Sequence, residues 1–144
     1  MTRPEHIFSS RDVARIAQIS PRQLQWWDER KLVSPCKRQH RRLYHAHEVI
    51  EITVIAVLRR KGLSLQKARQ ILPFLQRAIG PRLRKQTRVK SELHFLTDGK
   101  SSYLEEHPRR IIDLLKEARH PMYLVCVSDY LKHLDSIPGS RRLF

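Results

Sequence analysis

The apolar positions at the start of the chain follow a helical spacing. Val13, Ile16 and Ala17 recur at i, i+3 and i+4, which is one face of a short helix. Ser9-Ser10 stand just before them, and serine is a favourable N-cap residue. The pattern therefore predicts a short first helix that begins near these serines.

A second helix start follows within a few residues. Ser20-Pro21 combines a capping hydroxyl with a proline at the first helical position, where the missing N–H costs nothing. The predicted helix, residues 21–30, turns Leu24 and Trp27 inward and leaves Trp26 on another face. Two short helices joined by a tight turn form a helix-turn-helix unit.

Residues 31–44 have short apolar pairs at both ends and a cationic centre. Leu32-Val33 and Leu43-Tyr44 bracket the basic pairs Lys37-Arg38 and Arg41-Arg42. This arrangement predicts a hairpin with a cationic tip, which we call the wing. A solvated turn is the alternative, because charge runs are commonly exposed faces.

Two further helices are predicted after the wing. The first is strongly apolar and covers about residues 47–61. The second is capped by Ser64 and ends at Gly80-Pro81. Residues 82–92 are cationic and almost without apolar side chains, so we predict a linker or an exposed helix extension there.

The last part of the chain has a pattern of its own. Asp98-Gly99 marks a hairpin turn between two short apolar segments, Pro108 opens a helix, and residues 122–127 form a β-rich apolar run. The predicted fold class is mainly α with small β elements, a winged helix-turn-helix domain followed by a small α+β module. The predicted divisions are a domain at 1–80, a basic linker or helix extension at 81–92, the module at 93–138 and a tail at 139–144.

The net charge of the chain indicates the kind of molecule that it binds. The chain carries 29 basic and 14 acidic residues, a formal charge of +15. Residues 1–92 hold 21 of the basic and 7 of the acidic residues. So strong a positive excess favours a polyanionic partner that binds the first two thirds of the chain.

Membrane insertion and export are not expected. No apolar run approaches the ~18 residues that a spanning helix needs, and no charged-then-apolar leader is present. The two cysteines, Cys36 and Cys126, stand ninety residues apart and do not form a disulfide framework. We predict a cytoplasmic protein without membrane contact.

With these elements in place, residues 7–72 resemble the DNA-binding domain of MerR-family regulators. Order and spacing agree across four consecutive elements. The matching segments are Val13-Ala14-Arg15-Ile16-Ala17, Ile19-Ser20-Pro21-Arg22-Gln23-Leu24, Trp26-Trp27-Asp28-Glu29-Arg30-Lys31-Leu32-Val33-Ser34-Pro35, Arg42-Leu43-Tyr44 and Leu58-Arg59-Arg60-Lys61-Gly62-Leu63-Ser64-Leu65.

The resemblance implies double-stranded DNA as the ligand and a homodimer as the binding form. The second helix would enter the major groove, the wing would contact the phosphate backbone, and RNA polymerase would be a further partner at a promoter. Trp26 would stack against sugar-phosphate or instead fill a groove against the wing. The candidate DNA-binding residues are Arg11, Ser20, Arg22, Gln23, Gln25, Trp26, Lys37, Arg38, Arg41, Arg42 and Tyr44.

Several positions depart from the family pattern. Gln25 replaces the usual arginine before the paired aromatics, and Trp26 replaces a tyrosine. Gln18 stands where the family has a glycine between the helices, and His40-Arg41 stands for a glycine-tyrosine pair. Residues 82–92 also lack the heptad stripe of the family's long dimerisation helix. The differences in the DNA-binding part bear on the target sequence more than on the fold.

The sequence gives only weak indications of metal binding or catalysis. Cys36, His40, His45 and His47 are metal-ligand types, but their spacing matches no standard zinc finger, so we predict no metal and no cofactor. Cys126 lies in an apolar run and is expected to be a buried structural thiol. No catalytic arrangement stands out, and we do not expect an enzyme.

The alternative functions are an excisionase-like architectural DNA-binding protein and a partner-binding adaptor.

Overall fold

The computed structural model describes residues 5–32, 36–38, 41–85, 92–135 and 141–143 of the 144-residue chain, and side chains within 7–32, 42–82 and 92–134. These residues form a mainly helical fold with two small antiparallel sheets, which confirms the predicted fold class. In chain order the elements are β1 (Glu5–Ser9), α1 (Ser10–Ala17), α2 (Pro21–Glu29), β2 (Cys36–Arg38), β3 (Arg41–His45), α3 (Ala46–Arg60), α4 (Leu65–Lys85), β4 (His94–Thr97), β5 (Ser102–Glu105), α5 (Pro108–Glu117), β6 (Tyr123–Cys126), α6 (Val127–Asp135) and β7 (Arg141–Leu143).

Both short helices begin at the residues that the sequence indicates. The Ser9 hydroxyl accepts a hydrogen bond from the Asp12 N–H at 3.2 Å, and the Asp12 carboxylate accepts one from the Ser9 N–H at 3.4 Å. The Ser20 hydroxyl accepts from the Gln23 N–H at 3.0 Å. Between the helices Gln18 has a φ of +57°, a left-handed conformation that glycine adopts without steric cost.

The central element of the fold is α3. Its residues 49–58 are all buried, and α1, α4 and α6 pack around it. The apolar core runs without a break from Phe8 in β1 through α3 to Val125 in β6 and Leu134 in α6. The helix-turn-helix part and the C-terminal module therefore share one core.

The fourth helix is longer than the sequence pattern indicates. The predicted end at Gly80-Pro81 is wrong, since α4 continues to Lys85, into the segment for which a helix extension is one of the two predictions. Ile79 is fully buried, and Arg82 forms an ion pair with Glu106 at 2.5 Å, so contacts on both sides of Pro81 offset the hydrogen bond that proline cannot donate. The predicted domain boundary near residue 80 falls inside this helix and stays a prediction. Residues 86–91 of the predicted linker lie outside the described residues.

The C-terminal module has a three-stranded sheet in the order β5-β4-β6. The predicted hairpin is confirmed, with a turn of four residues, 98–101. The Asp98 carboxylate accepts from the N–H groups of Lys100 and Ser101 at 2.8 and 2.7 Å, and Gly99 has a φ of +99°. Phe95 of β4 packs against Phe74 of α4, with ring centroids 5.9 Å apart. This contact joins the module to the helical part.

The other sheet has four strands in the order β2-β3-β1-β7. Its β2–β3 hairpin is the predicted wing, and β1 pairs with β3 on one side and with β7 on the other. The strand β7 lies in the segment that the sequence analysis assigns to a tail. Three residues, Arg141–Leu143, are too short a run for a strand pattern to be read from the sequence alone.

Candidate nucleic-acid interface

The helix α2 separates a buried apolar side from an exposed polar side. Leu24 and Trp27 are buried in the core, as predicted. Arg22, in the first turn, and Gln25, one turn later, are exposed. Gln25 donates a side-chain hydrogen bond to Glu29 at 3.1 Å. The capped N-terminal half of α2 thus presents a cation and an amide to solvent.

Trp26 is half-buried and takes part in two contacts. It packs against the edge of the core, and the guanidinium carbon of Arg30 lies 4.3 Å from its ring centroid, a cation–π arrangement. These contacts fix the orientation of the indole. Whether Trp26 also touches DNA stays a prediction.

The wing places basic residues opposite each other on its two strands. Lys37 pairs in register with Arg42, and Arg38 with Arg41. The side chains of Lys37, Arg38 and Arg41 lie outside the described residues.

Arg42 connects the wing to α2. Its Nε lies 2.7 Å from the Oδ2 atom of Asp28, and the two side chains are 28% and 12% exposed. The ion pair therefore holds the wing in a set position beside α2.

Tyr44 lies beneath this surface, whereas the sequence analysis includes it among the DNA-binding residues. It is 1% exposed and belongs to the core, so its side chain has no free face for a ligand. Burial raises the pKa of its phenol, and the carboxylates of Asp28 and Glu48 act in the same direction. Arg42 and Tyr44 stand two residues apart on β3 and therefore lie on the same face of the strand. That face packs against the rest of the fold, where Tyr44 enters the core and Arg42 contacts Asp28.

The remaining candidates differ in exposure. Arg11 and Ser20 are exposed with Arg22 and Gln25, and Gln23 is half-buried. The structure thus brings an exposed polar face of α2 and the anchored Arg42 together through Asp28.

The histidines and the cysteine near the wing, which are metal-ligand types in the sequence, are described only in part. The side chains of Cys36 and His40 lie outside the described residues. The rings of His45 and His47 stack 5.9 Å apart, and His47 Nδ1 lies 3.0 Å from Glu51 Oε2. Among the described residues, these contacts belong to the start of α3. There the Glu48 carboxylate accepts a hydrogen bond from the His45 N–H at 2.9 Å.

A different cluster of metal-ligand types occurs in the C-terminal module. Potential donor atoms of Glu92, His94 and Cys126 all lie within 4.8 Å of one another. Cys126 is only partly buried, in contrast to the expected buried thiol. Burial raises the pKa of its thiol, and the carboxylates of Asp129 and Glu92 add to the effect. The cluster cannot be recognised in the sequence, because His94 and Cys126 stand 32 positions apart and are joined by the pairing of β4 with β6.

Comparison with known proteins agrees with the geometry of the N-terminal part. Residues 8–75 match the family model described as MerR HTH family regulatory protein, a range that runs from β1 into α4. No curated protein matches the chain. Among the described residues, no helix has the length and apolar character needed to cross a membrane. This match identifies the N-terminal part of the chain as a MerR-type helix-turn-helix domain and supports a DNA-binding transcription regulator.

Proposed function

We propose that the protein binds a specific promoter sequence as a homodimer, with α2 in the major groove and the wing on the phosphate backbone. The observation that carries the proposal is the polarity of α2, which buries Leu24 and Trp27 and exposes Arg22 in its first turn. In helix-turn-helix proteins the N-terminal residues of the recognition helix reach the base edges. Arg22 is therefore proposed to contact a base and Gln25 to lie beside it.

The wing and α1 supply the proposed phosphate contacts. Residues 1–92 carry nearly all of the net positive charge, and cations on phosphates release counterions. Lys37, Arg38 and Arg41 of the wing and Arg11 of α1 are proposed to bind the backbone. Such contacts orient the protein on the duplex without reading its sequence.

The homodimer is proposed to form through the C-terminal module. Leu93 and Val127 are buried in the core and are therefore not available to a second copy, whereas Leu124 is 41% exposed. Among the described residues of the module, Tyr103, Ile112 and Leu115 are also large apolar side chains that are exposed. Apolar surface of this kind is favourable to bury against a second copy. RNA polymerase as a partner and a cytoplasmic location belong to the same proposal.

Selection of bound duplexes from a random pool with the full chain tests the proposal. We expect a palindromic consensus whose half-sites are about one helical turn, or a multiple of it, apart. Enrichment of flexible or A-tract sequences without a palindrome would favour an architectural protein instead. Loss of all enrichment at moderate salt would contradict sequence-specific binding.

A further inference from the structure

The register of β4 and β6 brings three chemically different side chains to one place. His94 lies directly opposite Cys126 in the antiparallel pair. Directly opposed residues lie on the same face of a sheet, with Cβ atoms about 4.5–5.5 Å apart. Glu92 precedes His94 by two residues, the spacing that returns to the same side of an extended chain. Donor atoms of all three lie within 4.8 Å of one another.

We propose that Glu92, His94 and Cys126 bind a Zn²⁺ ion. Carboxylate oxygen, imidazole nitrogen and thiolate sulfur are the ligands that zinc takes in proteins. Zinc–ligand bonds of about 2.0–2.3 Å place ligand atoms roughly 3.5 Å apart in a tetrahedron, so small side-chain rotations close the site. Three protein ligands leave a fourth position for water or another donor. A hard cation such as Mg²⁺ would not favour the sulfur and nitrogen.

The imidazole of His94 faces the carboxylate of Glu92. Its Nε2 lies 3.5 Å from that carboxylate, a separation that two ligands of one zinc ion adopt. Its Nδ1 is buried with no hydrogen-bond partner in the described part of the chain. The side chain of Glu92 is 70% exposed, so the cluster is open to solvent on that side.

Cysteine binds zinc as its thiolate. Binding would release the thiol proton to solvent. The sequence-based expectation of no metal rested on local spacing, which carries no information about this cross-strand cluster.

Cobalt titration of the full chain, purified without an affinity tag, tests the site. Co²⁺ occupies tetrahedral zinc sites and gives a thiolate-to-metal absorption band when sulfur is a ligand. We expect one equivalent of Co²⁺ per chain, a thiolate band, and displacement by Zn²⁺. The band should be lost in Cys126→Ser and kept in Cys36→Ser, because the chain has only these two cysteines.

A second measurement uses a ligand whose replacement leaves the fold intact. Glu92 is exposed, so Glu92→Gln should fold normally and weaken Zn²⁺ affinity at least about tenfold. The wild type and Cys36→Ser should gain thermal stability with added Zn²⁺, and Cys126→Ser should not. The proposal is overturned if the wild type binds no Co²⁺, if the band depends on Cys36 instead of Cys126, or if Glu92→Gln binds Zn²⁺ as tightly as the wild type.

Discussion

The Nε atom of Arg42, in the wing, lies 2.7 Å from Oδ2 of Asp28, on α2. Both side chains are mostly buried, so the pair is shielded from solvent more than an ordinary surface ion pair. The contact joins the two parts of the proposed DNA-binding surface. Arg42 therefore contributes to the shape of that surface as well as to its charge.

We expect Asp28→Asn to weaken DNA binding, although it removes a negative charge from the protein. The reason is that the wing loses its anchor on α2. Fluorescence anisotropy with the selected duplex measures the effect, and a cycle with Arg42→Gln should show coupling of about 0.5–1 kcal/mol in protein stability. Tighter binding by Asp28→Asn, as its charge alone predicts, would show that the ion pair does not position the wing.

Gln18→Gly should stabilise the protein by about 0.5–1 kcal/mol, since the left-handed backbone is strained for any residue but glycine. Gln18 has a φ of +57° and an exposed side chain, so little else is lost. Urea unfolding measures the change. The matched control is Gln25→Gly in the interior of α2, which should destabilise by about 1 kcal/mol. Equal destabilisation by both variants would contradict the strain argument.

Local patterns predicted the N-terminal part of the fold well. The caps Ser9 and Ser20 and the buried face of α2 follow from spacing and side-chain chemistry within a few residues. The burial of Tyr44 does not, because it depends on how β3 packs against α1 and α3. The Arg42–Asp28 pair likewise depends on tertiary packing.

Longer-range features escaped the sequence analysis for the same reason. The continuation of α4 past Pro81 depends on the burial of Ile79 and on the Arg82–Glu106 ion pair. The strand β7 exists only as a partner of β1. The cluster of His94 and Cys126 exists only through strand register. In each case the information lies in a pairing between distant segments.

The hairpin turn of the module should have a pH-dependent stability. Hydrogen bonds from the N–H groups of Ser101 and Lys100 lower the pKa of Asp98 below its ordinary value of 3.8. A carboxyl with a lowered folded-state pKa stabilises the fold above its ordinary pKa and loses that contribution as the pH falls through the folded value. Asp98→Asn should therefore lower Tm at neutral pH, and the difference from wild type should shrink below pH 3.8.

Thermal unfolding across a pH series checks this expectation. Asp113→Asn provides the control, because Asp113 is an exposed carboxylate on α5 with only a 3.8 Å contact to Arg109. A Tm difference between wild type and Asp98→Asn that stays constant through the acid range would refute the assignment.

Self-association should depend on Leu124, which lies exposed on β6. A lysine there places a charge in the proposed apolar interface, so Leu124→Lys should shift the full chain from dimer to monomer in light scattering. Glu117→Lys, at an exposed position of α5, should leave the dimer unchanged. A full chain that is monomeric at micromolar concentration, both free and on DNA, would exclude the dimer.

The most direct test of base reading by α2 compares Arg22→Ala with wild type on cognate and scrambled duplexes over a salt series. An arginine bidentate to guanine contributes ~1–3 kcal/mol of discrimination. We predict that Arg22→Ala loses affinity for the cognate duplex by that amount, keeps most of its affinity for scrambled DNA, and relaxes preference at one or two positions. Arg109→Ala, 87% exposed on α5, should match wild type on both duplexes. Equal losses on cognate and scrambled DNA with a shallower salt slope would make Arg22 a phosphate contact, and would contradict the placement of α2 in the major groove.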